Sequence, residues 1–361
     1  MSKWPMARLY EVAPATESEQ PLISDEVWLL NLDMVESVSG RIISKKLVKP
    51  EIIGSSTIRF DEDTVLYSKL RPYLNKVVLP ESIGYATSEM IPLRPDKSRL
   101  SRRYLATFLR SPHFVNYISA KVSGTKMPRA NIDDLRATLI PLPPIDEQNR
   151  ITSTLDAVSE VLRLRKAQLA ELDNLVKSQF VEMFGDPVSN SKQLPTKIGC
   201  EFFKLTNGRF VPQSKRFDIG IPAYGGNGIS WYTDEILCKN DTIVVGRVGF
   251  QSGNVHLVNG PLWITDNAMY ISDYRSDVYN LVFLCALMEH IDFTRFQDAG
   301  DLKKITQKPF MCMKFIHPPL SMQLEFAAFV DQVNESKVAL QKAQDEAQLL
   351  FDSLMAEYFE E

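Results

Sequence analysis

Two stretches in the first 130 residues gather side chains that can grip a phosphate or read the edge of a base. Ser68-Lys69-Leu70-Arg71-Pro72-Tyr73, with Lys76 just beyond, forms one, and Gly124-Thr125-Lys126-Met127-Pro128-Arg129 forms the other. The second half of the chain repeats the combination in Gly208-Arg209, Tyr224-Gly225-Gly226-Asn227-Gly228, Gly246-Arg247 and Gly300-Asp301-Leu302-Lys303-Lys304. Arg, Lys and Asn supply the donors that meet phosphate oxygens and the edges of guanine or adenine. Glycine lets the backbone come close to a ligand. The candidate contact residues are therefore Lys69, Arg71, Tyr73, Lys76, Lys126, Arg129, Arg209, Tyr224, Asn227, Arg247, Lys303 and Lys304.

Residues for a reaction are harder to find. The four cysteines (Cys200, Cys238, Cys285, Cys312) have no C-x-x-C spacing and the four histidines are scattered, which signals neither a zinc cluster nor a disulfide framework. There is no G-x-x-x-x-G-K-[ST] phosphate loop. Pro143-Pro144 and Pro318-Pro319 follow Leu142 and His317, so neither is the Asn/Asp-Pro-Pro-aromatic loop that holds a flipped base for methylation. Pro95-Asp96 lacks the acidic-x-Lys pair of a metal-dependent nuclease, and Glu335-Ser336-Lys337 lies in a helical stretch. No catalytic centre is expected, and no resident metal or cofactor.

The elements that must position the cationic clusters come in two copies. Asp63-Thr64-Val65-Leu66-Tyr67-Ser68-Lys69 is echoed 178 positions later by Asp241-Thr242-Ile243-Val244-Val245-Gly246-Arg247, and Ala86-Thr87-Ser88-Glu89 by Ile264-Thr265-Asp266-Asn267. Leu142-Pro143-Pro144-Ile145-Asp146-Glu147-Gln148 answers to His317-Pro318-Pro319-Leu320-Ser321-Met322-Gln323, now 175 apart. A period of half the chain means a duplicated unit.

Each copy ends in a long helix with Asp146 or Ser321 as the expected N-cap. Steps of 4 and 3 run through Ile151, Leu155, Val158, Leu162, Arg165, Leu169, Leu172, Val176, Gln179 and Met183. The second series is Phe326, Val330, Val333, Lys337, Leu340, Gln344, Ala347, Phe351, Leu354 and Tyr358. This is the 3.5-residue period of a coiled-coil seam. Gly185 and Pro187 stop the first helix, and the short link to Pro195 leaves the second helix free to pair only by running back. An antiparallel coiled coil with a globular domain at each end and a pseudo-twofold axis follows.

The globular parts read as mixed, with strands at 64–67, 242–245 and 254–258 and helices expected at 104–119 and 278–293. The expected division is 1–144, a helix at 145–185, 186–319, and a helix at 320–361. At 361 residues with 44% apolar and 24% charged side chains, the chain is an ordinary folded protein of two or three domains, not a disordered one. No apolar run approaches a membrane span, so a cytoplasmic location is expected. The net charge of −4 hides an asymmetry: residues 1–144 carry +4, 186–319 carry +1, and the two helical stretches carry −2 and −7. Phosphates would be repelled by the helices, which are better placed to face a protein, while the domains can face a polyanion.

This order of parts resembles the specificity (S) subunits of type I restriction-modification enzymes. The resemblance rests on Ile140-Pro141-Leu142-Pro143-Pro144-Ile145-Asp146-Glu147-Gln148 with Arg150-Ile151, on the Gly124 to Arg129 loop, and on Tyr224-Gly225-Gly226-Asn227-Gly228-Ile229 with Asp266-Asn267-Ala268. The second copy departs from it, with Ser321-Met322-Gln323 for the acidic Glu-Gln and Asp301-Leu302-Lys303-Lys304 for Thr-Lys-x-Pro-Arg. The resemblance implies an α+β architecture of two target recognition domains, each reading half of a bipartite, asymmetric site in double-stranded DNA, with the helices as a ruler. It also implies docking of two methylation (M) subunits that bring S-adenosylmethionine, and of restriction (R) subunits that use ATP. Two other readings compete: a self-sufficient nuclease or methyltransferase, opposed by the missing motifs, and a coiled-coil scaffold whose end domains bind proteins.

Overall fold

A computed structural model describes residues 4–20, 25–124, 126–298, 300 and 303–360. Thr125, Asp301 and Leu302, which belong to the loops singled out above, lie outside the described residues. The chain divides into two compact units, one formed by residues 1–166 and 343–361 and the other by residues 167–342. Each long helix therefore contributes one end to each unit.

In the first unit, a four-stranded sheet runs in the order Lys46–Val48, Val27–Leu30, Gly84–Thr87, Thr57–Phe60. A three-stranded sheet runs Val77–Val78, Val65–Ser68, Met90–Leu93. The strand Val65–Ser68 is buried throughout, and Val65 and Tyr67 are residue types that suit a strand. Met6–Arg8 pairs antiparallel with Leu139–Pro141, tying the start of the domain to the segment that leads into the first long helix.

The second unit repeats this plan. The strand counts are exchanged: the counterpart of the three-stranded sheet is four-stranded, Phe203–Asn207, Ala268–Tyr274, Thr242–Gly246 and Val255–Val258, and the counterpart of the four-stranded one has three strands, Gly228–Thr233, Ile221–Gly225 and Trp263–Ile264. The closing pair is Thr196–Ile198 with Lys314–Ile316, the latter 175 positions beyond Leu139–Pro141.

The helix expected over 104–119 is two helices, Arg102–Arg110 and Pro112–Ser119. Proline at 112 disfavours the α conformation at the preceding residue, and Ser111 instead turns extended and accepts a 3.2 Å hydrogen bond from the Phe114 N–H. Its counterpart is likewise shorter than the expected 278–293, an α-helix over Leu281–Glu289 capped by Asn280 and followed by a 3-10 turn at Phe293–Phe296.

The long helices span Ile145–Phe184 and Leu320–Phe359. They begin one residue before Asp146 and Ser321, so these expected caps sit inside the first turn, where the Asp146 charge still favours the positive helix end. Gly185, at φ +73°, stops the first helix and donates to the Val181 carbonyl at 2.8 Å. Between 156 and 178 the half-buried positions are Val158, Leu162, Arg165, Leu169, Leu172 and Val176, and the residues between them are exposed.

Packing within each unit fixes the direction. In the first, Ile151 and Leu155 near the start of one helix share a core with Phe351, Leu354, Met355, Tyr358 and Phe359 at the end of the other. In the second, Val176, Phe180, Met183 and Phe184 share a core with Met322, Phe326 and Val330. Head meets tail both times, so the helices pair antiparallel. Lys337, a polar seam position, reaches Asp173 at 2.5 Å. Arg165 and Gln344 do not resolve so simply: the buried Arg165 Nε and Gln344 Oε1 have no hydrogen-bond partner among the described residues.

Candidate nucleic-acid interface

In the first unit, the chain leaving the strand Val65–Ser68 is clamped between two neighbours. The Lys69 N–H donates to the Glu89 carbonyl at 3.0 Å, the Ala130 N–H donates to the Lys69 carbonyl at 2.8 Å, and the Arg71 N–H donates to the Pro128 carbonyl at 2.8 Å. These bonds bring the two basic stretches into one place, with Leu70 paired to Arg129. Arg71 takes up a left-handed φ of 49°, and its side chain and that of Tyr73 are exposed.

The second unit builds the same clamp from the matched residues. The Arg247 N–H donates to the Asn267 carbonyl at 2.9 Å, the Ile305 N–H to the Arg247 carbonyl at 3.0 Å, and the Gly249 N–H to the Lys303 carbonyl at 2.8 Å. Val248 pairs with Lys304 as Leu70 does with Arg129. Gly249, in the place of Arg71, is also left-handed, at φ +93°. The hairpin tip around Asn227 joins this site through a close backbone approach: a Cβ on Gly226 would lie 2.9 Å from the Gly246 Cα. Only glycine fits there.

Side chains close the two clamps differently. Arg129 donates from Nε to both Glu89 oxygens at 3.1 Å and from Nη2 to Oε1 at 2.7 Å. The hydrogen bond from Arg129 holds the Glu89 carboxyl below the usual carboxylate range, and the carboxylate in turn raises the guanidinium. The matched positions in the second unit are Asn267 and Lys304, which cannot form such a pair.

The remaining candidates differ in exposure and in what they already bind. Lys126, Lys303 and Lys304 are exposed, as are Arg209 and Asn227. Arg247 donates from Nη1 to the Asp266 carbonyl at 3.1 Å, and Tyr224 lies half-buried in its strand, its carbonyl accepting from the Thr265 N–H at 2.9 Å. Lys76 is engaged elsewhere: its Nζ donates to the Leu32 carbonyl at 2.6 Å. Lys69 is half-buried beside Glu89.

Several residues at these sites escaped the sequence reading. Glu89 was visible only as a repeat position. Phe250, 93% exposed next to Gly249, and Phe210, 64% exposed next to Arg209 with Arg216 over its ring at 5.7 Å, are two such residues. Arg216 lies over the Trp231 ring at 4.9 Å. Residue types alone carry no signal of such exposure, although Gly-Phe and Arg-Phe within Gly-rich loops hint at it.

Residues 2–174, covering the first domain and most of its long helix, match the family model of the type I restriction modification DNA specificity domain. That stretch is similar to type I specificity domains. The chain is 26% identical over 188 residues to the EcoDI type I restriction enzyme specificity subunit of Escherichia coli, covering 51% of this chain and 42% of that subunit. It is 23% identical over 221 residues to the EcoprrI specificity subunit of Escherichia coli, covering 56% and 54%. The chain thus spans about half the length of these curated relatives. A crystal structure of the type I restriction-modification S subunit from M. genitalium superposes with a TM-score of 0.65 at 16% identity, covering 99% of this chain and 96% of that one. A structure of an assembled type I restriction-modification system gives 0.64 at 21%, covering 99% and 97%. The specificity-subunit fold, with its repeat, therefore extends over the whole chain. No helix among the described residues is long and apolar enough to cross a membrane.

Proposed function

We propose that this chain is the sequence-specific DNA recognition subunit of a type I restriction-modification complex. Each unit reads one half of a bipartite site, and the site is asymmetric because the two clamps carry different side chains. The observation that supports this best is the clamp itself, with three matched backbone hydrogen bonds holding Lys69 and Arg247 in equivalent frames while the surrounding residues change. A common frame with exchangeable side chains suits a protein whose two halves recognise different bases.

In this reading, the exposed Lys126, Lys303 and Lys304 contact phosphates, and Arg209, Asn227 and Arg247 face the groove. The acidic helices dock methylation subunits, two per chain, and restriction subunits join them. Those partners bring S-adenosylmethionine and ATP, and the chain does no chemistry of its own. The cytoplasm, where DNA and these subunits meet, is its place of work. Titration of the chain with its methylation subunit against duplexes of random sequence, followed by competition with unlabelled DNA, tests this. Salt-sensitive binding that one sequence class competes for selectively is the expected result, and absence of any DNA binding would contradict it.

A further inference from the structure

Arg129 presents one edge of its guanidinium to Glu89 and keeps the other open. The group is planar, with five N–H donors in a rigid fork. The carboxylate occupies the Nε and Nη2 edge through three hydrogen bonds of 2.7 to 3.1 Å. The end-on edge, formed by Nη1 and the second Nη2 hydrogen, has no partner among the described residues, and the side chain remains 41% exposed. An arginine held this way has lost its rotamer freedom before any ligand arrives. Its free edge carries two parallel donors, the pattern that meets O6 and N7 of guanine in the major groove.

The backbone adds to the argument. Arg129 pairs with Leu70 in the clamp around Lys69, so the fork is carried on paired backbone and not on a free loop. A surface ion pair by itself contributes little to stability. A bidentate pair that fixes a donor fork at the centre of a cationic cluster makes better sense as preorganisation for binding. In the second unit, Lys304 and Asn267 occupy the matched positions and offer neither the fork nor the carboxylate that would orient it.

We infer that Arg129 reads a guanine in the half-site of the first unit, with Glu89 as the positioning residue that aims it, and that the second unit lacks this contact. The inference rests on the DNA-recognition reading above and adds the base and the residue pair.

Selection of bound duplexes from a random pool, using the full chain with its methylation subunit, tests it. The wild-type complex should recover a site with a guanine in one half. In Arg129→Ala the preference for that guanine should fall on the order of tenfold to a hundredfold, as loss of one bidentate base contact does. Arg129→Lys should not restore it, and Glu89→Gln should relax the same position and no other. Replacement of that base by 7-deazaguanine should reproduce the loss in the wild type. Retention of the other half-site in every variant shows that the chain is folded. An unchanged guanine preference in Arg129→Ala would overturn the inference. So would uniform weakening across sequences with a salt slope lower by about one, which marks a phosphate contact. A wild-type pool with no recovered sequence would overturn the DNA reading itself.

Discussion

Gln148 and Gln323, 175 positions apart, make the same three hydrogen bonds at the roots of the two long helices. Each is fully buried. The Gln148 Oε1 accepts from the Ser101 N–H at 2.7 Å, while Nε2 donates to the Arg99 and Pro143 carbonyls, both at 2.8 Å. In the other unit, the Gln323 Oε1 accepts from the Asn280 N–H at 2.9 Å, and Nε2 donates to the Val278 carbonyl at 3.1 Å and the Pro318 carbonyl at 2.9 Å. The glutamine amide has one acceptor and two donors to place here, and both units place all three. This fastens each helix to the domain that precedes it.

Loss of that fastening should be costly. At about 0.5–1.5 kcal/mol per hydrogen bond, Gln148→Ala or Gln323→Ala should destabilise the chain by on the order of 2–4 kcal/mol. Urea unfolding of each variant measures this, and an unmoved midpoint would show that the bonds are dispensable.

These glutamines also show what the sequence could reveal. The repeat, the two helices and the half-buried stripe along each were legible because a 3.5-residue period and a constant offset are local patterns. The break at Ser111-Pro112 was equally legible in principle, since proline at that point sets its own stop. Sheet order was not, because Val27–Leu30 pairs in parallel with Gly84–Thr87 more than 50 residues away and no local signal announces that choice. The interface was legible as clusters of cations but not as geometry. Nothing in the sequence separates Lys126, which is exposed, from Lys76, whose ammonium serves the Leu32 carbonyl. The Glu89–Arg129 pair joins residues 40 positions apart and depends on rotamers.

The end of the second long helix belongs to the core of the first unit. Phe359 packs on Tyr104 with ring centroids 5.4 Å apart and on Phe108 at 5.8 Å. Phe359→Ala should therefore cost about 3–5 kcal/mol despite lying next to the end of the described chain. Thermal unfolding monitored by circular dichroism checks this, and a melting temperature equal to the wild type would place the ring outside the core.

Asp61 makes the first unit sensitive to acid. Burial works to raise its carboxyl, but hydrogen bonds from Ser18, Arg94 and the Asp63 N–H outweigh burial and hold it below its ordinary value. A carboxylate with a depressed folded-state value adds stability above its unfolded value, near about 3.9, and that contribution disappears as pH falls through the folded value. Asp61→Asn should destabilise the chain by on the order of 1–3 kcal/mol at pH 7. The gap to the wild type should narrow below about pH 4. Urea midpoints across that range decide it, and a gap independent of pH would assign the loss to packing.

Lysines on the proposed DNA face should act through phosphates. Removal of one phosphate contact lowers the slope of log K against log salt by about 0.9. Lys126→Ala should show this change, and Lys303→Ala with Lys304→Ala together should show about twice as much. Slopes equal to the wild type would remove these side chains from the interface.

The central claim, that two unlike units each read half of one DNA site, meets its most direct test in a map of modified bases. Genomic DNA from cells expressing this chain with its methylation subunit, sequenced for methylated positions, should show modification confined to a two-part, asymmetric sequence with an unread interval between the parts. Arg247→Ala should alter one part only. Methylation at a single continuous motif, at a palindrome, or without sequence preference would contradict the account.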